Sequence, residues 1–200
     1  MNSPPILWTR LDGPGHEWAQ LEDHPEHWKI RGTAILAEQG IPYRLDYAVE
    51  CDRSWRTRAV RIRGSSGDSK DQISEIRVDV AADADSRWRV NGELHEAVSG
   101  CVDVDLAFTP ATNLIPIRRL ALPIGKEAKI DVAWLEFPSF SLKRLEQVYR
   151  RADDKAYTFE SGGGSFTARL RVNDVGFVTD YPGLWRAVDL ERESPRASES

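Results

Sequence analysis

The sequence predicts a mainly β fold built as one large, curled antiparallel sheet with few or no helices. Two observations predict it. Apolar residues recur at every second position along most of the chain, the pattern of a half-buried strand. Turn signals rich in Gly, Pro, Asn and Asp separate these runs at short intervals, as in an antiparallel array. A sheet with that many strands must curl, split or close, and a curled sheet has a concave face.

Trp28, Ile30, Ala34 and Leu36 are in phase, and Gly40, Ile41 and Pro42 turn the chain. Tyr43, Leu45, Tyr47, Val49 and Cys51 then share a dry face opposite Arg44, Asp46 and Glu50. Trp55 to Arg63 forms a further strand before a polar turn from Gly64 to Asp71. Ile76, Val78 and Val80 alternate with Glu75, Arg77 and Asp79. Arg87 to Val90 enters Asn91-Gly92, a strong hairpin signal. Val102, Val104 and Leu106 alternate with Cys101, Asp103 and Asp105, and Ile130, Val132 and Trp134 open a strand running to Phe137.

Leu142 to Arg151 carries both signals. Leu142, Leu145, Val148 and Tyr149 sit at helical spacing, while the turn at Asp153-Asp154 and the neighbouring strands favour a strand. Tyr157 and Phe159 lead to Gly162-Gly163-Gly164, and Phe166, Ala168, Leu170 and Val172 return. After Asn173-Asp174 comes a strand from Phe177 to Tyr181, which Pro182-Gly183 ends before Leu184-Trp185. Residues 1–190 are expected to form a single domain, and the polar residues 191–200 a disordered tail.

Composition narrows the functional classes. With 40% hydrophobic and 30% charged residues in a chain of 200, folding needs neither metal nor disulfide. The net charge of −5 is interspersed, with no basic block, so nucleic acid is not an expected partner. The start lacks a basic region followed by an apolar stretch. No run reaches the about 20 apolar residues of a membrane span. The expected compartment is the cytoplasm, with Cys51 and Cys101 as buried free thiols. No Ser nucleophile elbow, zinc spacing or phosphate loop is present. No catalytic residue, metal or cofactor is therefore expected.

Two features could carry binding. Asp103 and Asp105 share a strand face; they are a solvated face, a cation site or an acid–base pair. Thr109 to Leu120 is unusually apolar for a segment with two prolines, Pro110 and Pro116, which argue against a helix. It is either a plug in the end of the curled sheet or a ligand-lining loop. Asn113 can hold a sugar hydroxyl or cap a turn. On an extended chain Arg118 and Arg119 point to opposite faces. The inward one either reads an anionic or sugar head group or pairs with Asp103 or Asp105.

The run Asp103-Val104-Asp105-Leu106, through Thr109-Pro110-Ala111-Thr112-Asn113 to Pro116-Ile117-Arg118-Arg119, resembles the bacterial family catalogued as "putative glycolipid-binding" proteins. Cys51-Asp52 with Trp55, and Asp180-Tyr181-Pro182-Gly183-Leu184-Trp185, are similar to it too. These motifs span about Trp28 to Val188. The resemblance implies a spiral β-roll or half-barrel, similar to carriers that shuttle bacterial lipoproteins in their hollow. It implies non-catalytic binding of a glycolipid or other amphipathic lipid in an apolar concavity. Asp103, Asp105, Asn113, Arg118, Arg119 and Trp55 are then the candidate ligand-binding residues. A hydrolase acting on a sugar or lipid through the Asp pair, and a protein-interaction scaffold using a bare sheet edge, are the alternatives.

Overall fold

The computed structural model describes residues 2–67 and 73–189. The described strands form one sheet of fifteen. They are β1 (Ile6–Arg10), β2 (Gly15–Asp23), β3 (His27–Glu38), β4 (Ile41–Asp52), β5 (Thr57–Gly67), β6 (Ile73–Ala82), β7 (Trp88–Val90) and β8 (Glu93–Leu94), followed by β9 (Asp103–Leu106), β10 (Glu127–Leu135), β11 (Leu142–Arg151), β12 (Ala156–Ser161), β13 (Phe166–Val172), β14 (Val178–Tyr181) and β15 (Trp185–Ala187). The chain steps outward from β1 to β8, crosses to the far edge at β9, and steps back until β15 pairs with β1. Neighbours are antiparallel except β9 and β10. The far edge curls round to touch β5: the Val102 carbonyl accepts from the Thr57 N–H at 3.1 Å, and Thr57 Oγ1 accepts from the Val104 N–H at 3.1 Å. No ladder forms there, so the sheet is curled without closing into a barrel.

Alternation explains the core. Tyr43, Leu45, Tyr47, Val49 and Cys51 of β4 are all buried, as are Ile30, Ala34 and Leu36 of β3. Two buried tryptophans find partners for their N–H groups: Trp8 donates to the Val178 carbonyl at 2.6 Å and Trp88 to that of Cys101 at 2.9 Å. Asn91 and Gly92, both at positive φ, make the tight turn between β7 and β8. Leu142 to Arg151 is strand β11.

The structure changes several expectations. Strands β1 and β2 lie in a region where alternation announced nothing, yet β1 joins the two halves of the sheet. Residues 64–67, read as turn, extend β5; the rest of that polar turn and the tail lie outside the described residues. The segment after Thr109 is helical rather than extended. Ala111–Asn113 form a single 3-10 turn that runs into helix α1, Leu114–Leu120. Pro116 is tolerated because it occupies the third helical position, where its missing N–H has no acceptor within the helix. Ala121, at φ 44°, closes the helix by donating its N–H to the Ile117 carbonyl at 3.2 Å. This short helix fills the concavity, with Ala111, Leu114 and Ile115 fully buried. The concave face is therefore a packed core along this segment.

Candidate functional site

Strand β9 carries Asp103 and Asp105 on one face, and the Thr109–Leu120 segment folds back over that face. The solvated-face expectation is thereby overturned, because both carboxylates are covered. They meet different partners. Asp103, fully buried, receives a two-pronged ion pair from Arg119, with Nε at 2.7 Å and Nη2 at 2.6 Å. Burial raises the Asp103 carboxyl and Arg119 offsets part of that rise; Asp103 in turn holds Arg119 protonated. Among the described residues Asp105 has no cation partner. Its Oδ1 accepts from the Thr112 hydroxyl at 3.1 Å and its Oδ2 from the Gln147 amide at 2.7 Å. Burial pushes its carboxyl up and those two donors pull it down.

Asp105 opens onto a cavity of about 200 Å³ between the plug and the β10–β15 half of the sheet. Thr109, Asn113 and Gln147 join Asp105 on its polar side, and Phe159, Phe166, Trp134, Tyr181 and Trp185 supply aromatic surface. The polar groups are tied together. Asn113 Nδ2 donates to the Tyr149 hydroxyl at 2.8 Å, and that hydroxyl donates to Gln147 Oε1 at 3.2 Å. Tyr181 lies near Asp105, and burial holds its hydroxyl protonated. Phe159 meets Tyr149 at 5.0 Å and both Phe166 and Tyr181 at about 6 Å between ring centroids, so the aromatic walls brace one another.

A second acid approaches through Thr109. Glu17 of β2 is buried, and its Oε1 accepts from the Tyr47 hydroxyl at 2.5 Å and the Thr109 hydroxyl at 2.6 Å. Its Oε2 is buried with no partner among the described residues. Burial pushes this carboxyl up to about 8. Sequence reading missed Glu17 because β2 was not recognised; the signal was Ala19 and Leu21 in phase with it.

The remaining sequence candidates lie elsewhere. Trp55, at φ 64°, stacks on Trp28 with centroids 4.9 Å apart. Arg118 reaches over the Trp55 ring at 5.9 Å, and Arg53 covers Trp28 at 4.0 Å. Of the six candidates, the structure thus brings Asp105 and Asn113 together at the cavity. It pairs Asp103 with Arg119 beside it and places Arg118 with Trp55 outside it.

The family model described as "Putative glycolipid-binding" matches residues 5–187. No curated protein matches. The crystal structure of a DUF1089 family protein from Pseudomonas aeruginosa is 32% identical, covers 86% of this chain and 92% of that one, and superposes with a TM-score of 0.72. A β-barrel-like protein of domain of unknown function DUF1849 from Brucella abortus is 10% identical over 93% of this chain and 94% of that one, at a TM-score of 0.51, a likeness of fold alone.

Proposed function

This chain belongs to the family described as "Putative glycolipid-binding", and from that premise we propose that it binds a glycolipid by its sugar ring, in the cavity beside Asp105. The carrying observation is the pairing of an uncompensated carboxylate and two side-chain amides with aromatic walls in one small cavity. A sugar ring presents hydroxyls around its edge and C–H groups on its faces. Carboxylate and amide groups satisfy the first, and aromatic faces cover the second. The size supports the same reading. About 200 Å³ falls below the roughly 300–1,000 Å³ of sites that enclose drug-sized ligands, so it accommodates a ring and not an acyl chain. The lipid tail then runs outside, past half-buried Phe166 and Leu184.

The hydrolase alternative loses support because the two aspartates do not face one cleft. Asp103 is neutralised by Arg119 and does not line the cavity. The scaffold alternative loses support because one edge strand, β8, has two residues and the other, β9, has its outward backbone groups taken up by Thr57 and Thr112.

Octyl glucoside titrated against the protein, followed by tryptophan fluorescence and calorimetry, tests the proposal, with a sugar-free detergent of equal chain length as control. Binding should require the sugar. Asp105→Asn should weaken it about tenfold to a hundredfold, the worth of a charged hydrogen bond, and Phe166→Ala should weaken it without disturbing the polar network. Equal affinity for the two detergents, or full binding by a folded Asp105→Asn variant, would refute it.

A further inference from the structure

We propose that a second cleft, between the C-terminal end of α1 and the turns that follow β11 and β13, is an anion site that takes a phosphate group. The cleft has a volume of about 310 Å³, and Arg118, Arg151, Lys155, Tyr157 and Asn173 line it. It shares no lining residue with the cavity at Asp105, so this site does not depend on the sugar reading.

Two guanidinium groups are positioned there without their charge being spent. Among the described residues Arg118 has no ion pair and no hydrogen bond. Its stem is nevertheless seated. Nε and Cδ lie 3.5 and 3.7 Å from where a β-carbon on Gly176 would stand, and Gly176 has φ +103°. The loop that offers this seat is rigid, since Asn173 Oδ1 accepts from the N–H groups of Val175, Gly176 and Phe177 at 3.0–3.1 Å. The head of Arg118 is over Trp55. Among the described residues Arg151 is held by backbone carbonyls alone: Leu122 at 3.0 Å, Asp153 at 3.1 Å and Asp154 at 3.2 Å. Carbonyls fix a guanidinium in place and leave its full charge in the field.

The remaining charges in the cleft do not cancel these two. Lys155 pairs with Asp174 at 3.0 Å, which leaves Asp154 as the other acidic residue among those lining the cleft. Tyr157, buried at the cleft wall, feels both arginines. Two planar forks in a concave site match the tetrahedral oxygens of a phosphate better than a single carboxylate does. The phosphate could be that of a lipid head group or free in solution, and the two sources are separable.

Binding of inorganic phosphate is measured by 31P NMR and thermal shift against chloride at matched ionic strength. Arg118→Gln is the test variant, since its exposed side chain should not be needed for folding. Arg186→Gln is the control, removing an equal charge on β15, outside the cleft. The wild type and Arg186→Gln should bind alike, and Arg118→Gln should bind about tenfold more weakly with an unchanged melting temperature in chloride. Co-sedimentation with phosphatidylcholine vesicles containing phosphatidic acid then identifies the source. Vesicle binding lost in Arg118→Gln marks a lipid head group, and inorganic phosphate binding without vesicle binding marks a free anion; either supports the site. Phosphate acting no differently from chloride, or equal losses in Arg118→Gln and Arg186→Gln, overturns it.

Discussion

Glu17 should make the protein lose stability as pH rises through neutrality. Its carboxyl is pushed up to about 8 in the folded chain, against 4.5 as an ordinary glutamate, because it is buried, with one oxygen unpartnered among the described residues. Between those values the folded chain holds a proton that the unfolded chain has released, so stability falls with pH. The contribution is complete below about 4.5 and gone above about 8. At about 1.36 kcal/mol per pH unit, the whole interval is worth about 5 kcal/mol, and the span from about pH 6 to about pH 9 about 3 kcal/mol. Glu17→Gln is the matched perturbation. The amide oxygen can accept from Tyr47 and Thr109 as Oε1 does, and the amide N–H stands where the carboxyl proton stands, equally without an acceptor. Urea unfolding followed by tryptophan fluorescence at a series of pH values measures the effect. The difference between wild type and Glu17→Gln cancels the titration of every other group. Wild type should lose about 3 kcal/mol relative to the variant over that span. Parallel curves would refute the reasoning, because the proton would then sit on some other group.

Three further outcomes follow from the same geometry. Arg119→Ala leaves the fully buried Asp103 unpaired and should cost about 3 kcal/mol, the low end for breaking a buried pair, since Arg119 keeps 22% of its side chain exposed; Asp103→Leu with Arg119→Met should recover most of it in urea melts. Gly32→Ala would place a methyl 2.5–2.6 Å from the Tyr47 ring and hydroxyl, so it should cost about 1–3 kcal/mol and flatten the pH dependence assigned to Glu17. Burial pushes the thiol of Cys51 up to about 12 and that of Cys101 up to about 11, so neither should react with iodoacetamide in the native protein near neutral pH; stoichiometric native labelling would contradict this.

Strands were legible wherever one face is dry and the other wet, as in β3, β4 and β6. The pattern fails where burial and polarity part company. In β2 the inward set is Glu17, Ala19 and Leu21, while Trp18 sits on the opposite face under Arg31 at 5.4 Å. An acid inside and an indole outside invert the code, and β1 is too short to show a period. Asp103 and Asp105 misled for a related reason. A period of two marks which residues share a face and says nothing of what covers that face. The clue was the neighbouring apolar segment, which needed a surface to lie on. Its helix was hidden because Pro116 is a breaker everywhere except in a first turn, and an extended reading then placed the two arginines on opposite faces of a strand that does not exist.

The buried acids share a purpose that the separate contacts do not reveal. Glu17 holds Thr109, Asp105 holds Thr112 and Asp103 holds Arg119, so three carboxylates anchor successive points of the plug. Glu17 comes from the β1–β8 half of the sheet, whereas the aspartates and Tyr149, which accepts from Asn113, come from the β9–β15 half. The plug therefore ties both halves across the concavity. Two of its anchor points, Thr109 and Asn113, also line the cavity proposed as the binding site, as does Asp105 itself. If the proposed site is right, ligand binding and plug anchoring are linked equilibria. Ionising Glu17 forces an uncompensated charge beside Thr109 and should loosen the plug where it faces the cavity. Affinity for octyl glucoside should accordingly fall as pH rises through about 8 in the wild type and stay level in Glu17→Gln. Calorimetric titrations on either side of that value measure it. A wild-type affinity independent of pH would show that the cavity and the Glu17 anchor are uncoupled, even if each behaves as described alone.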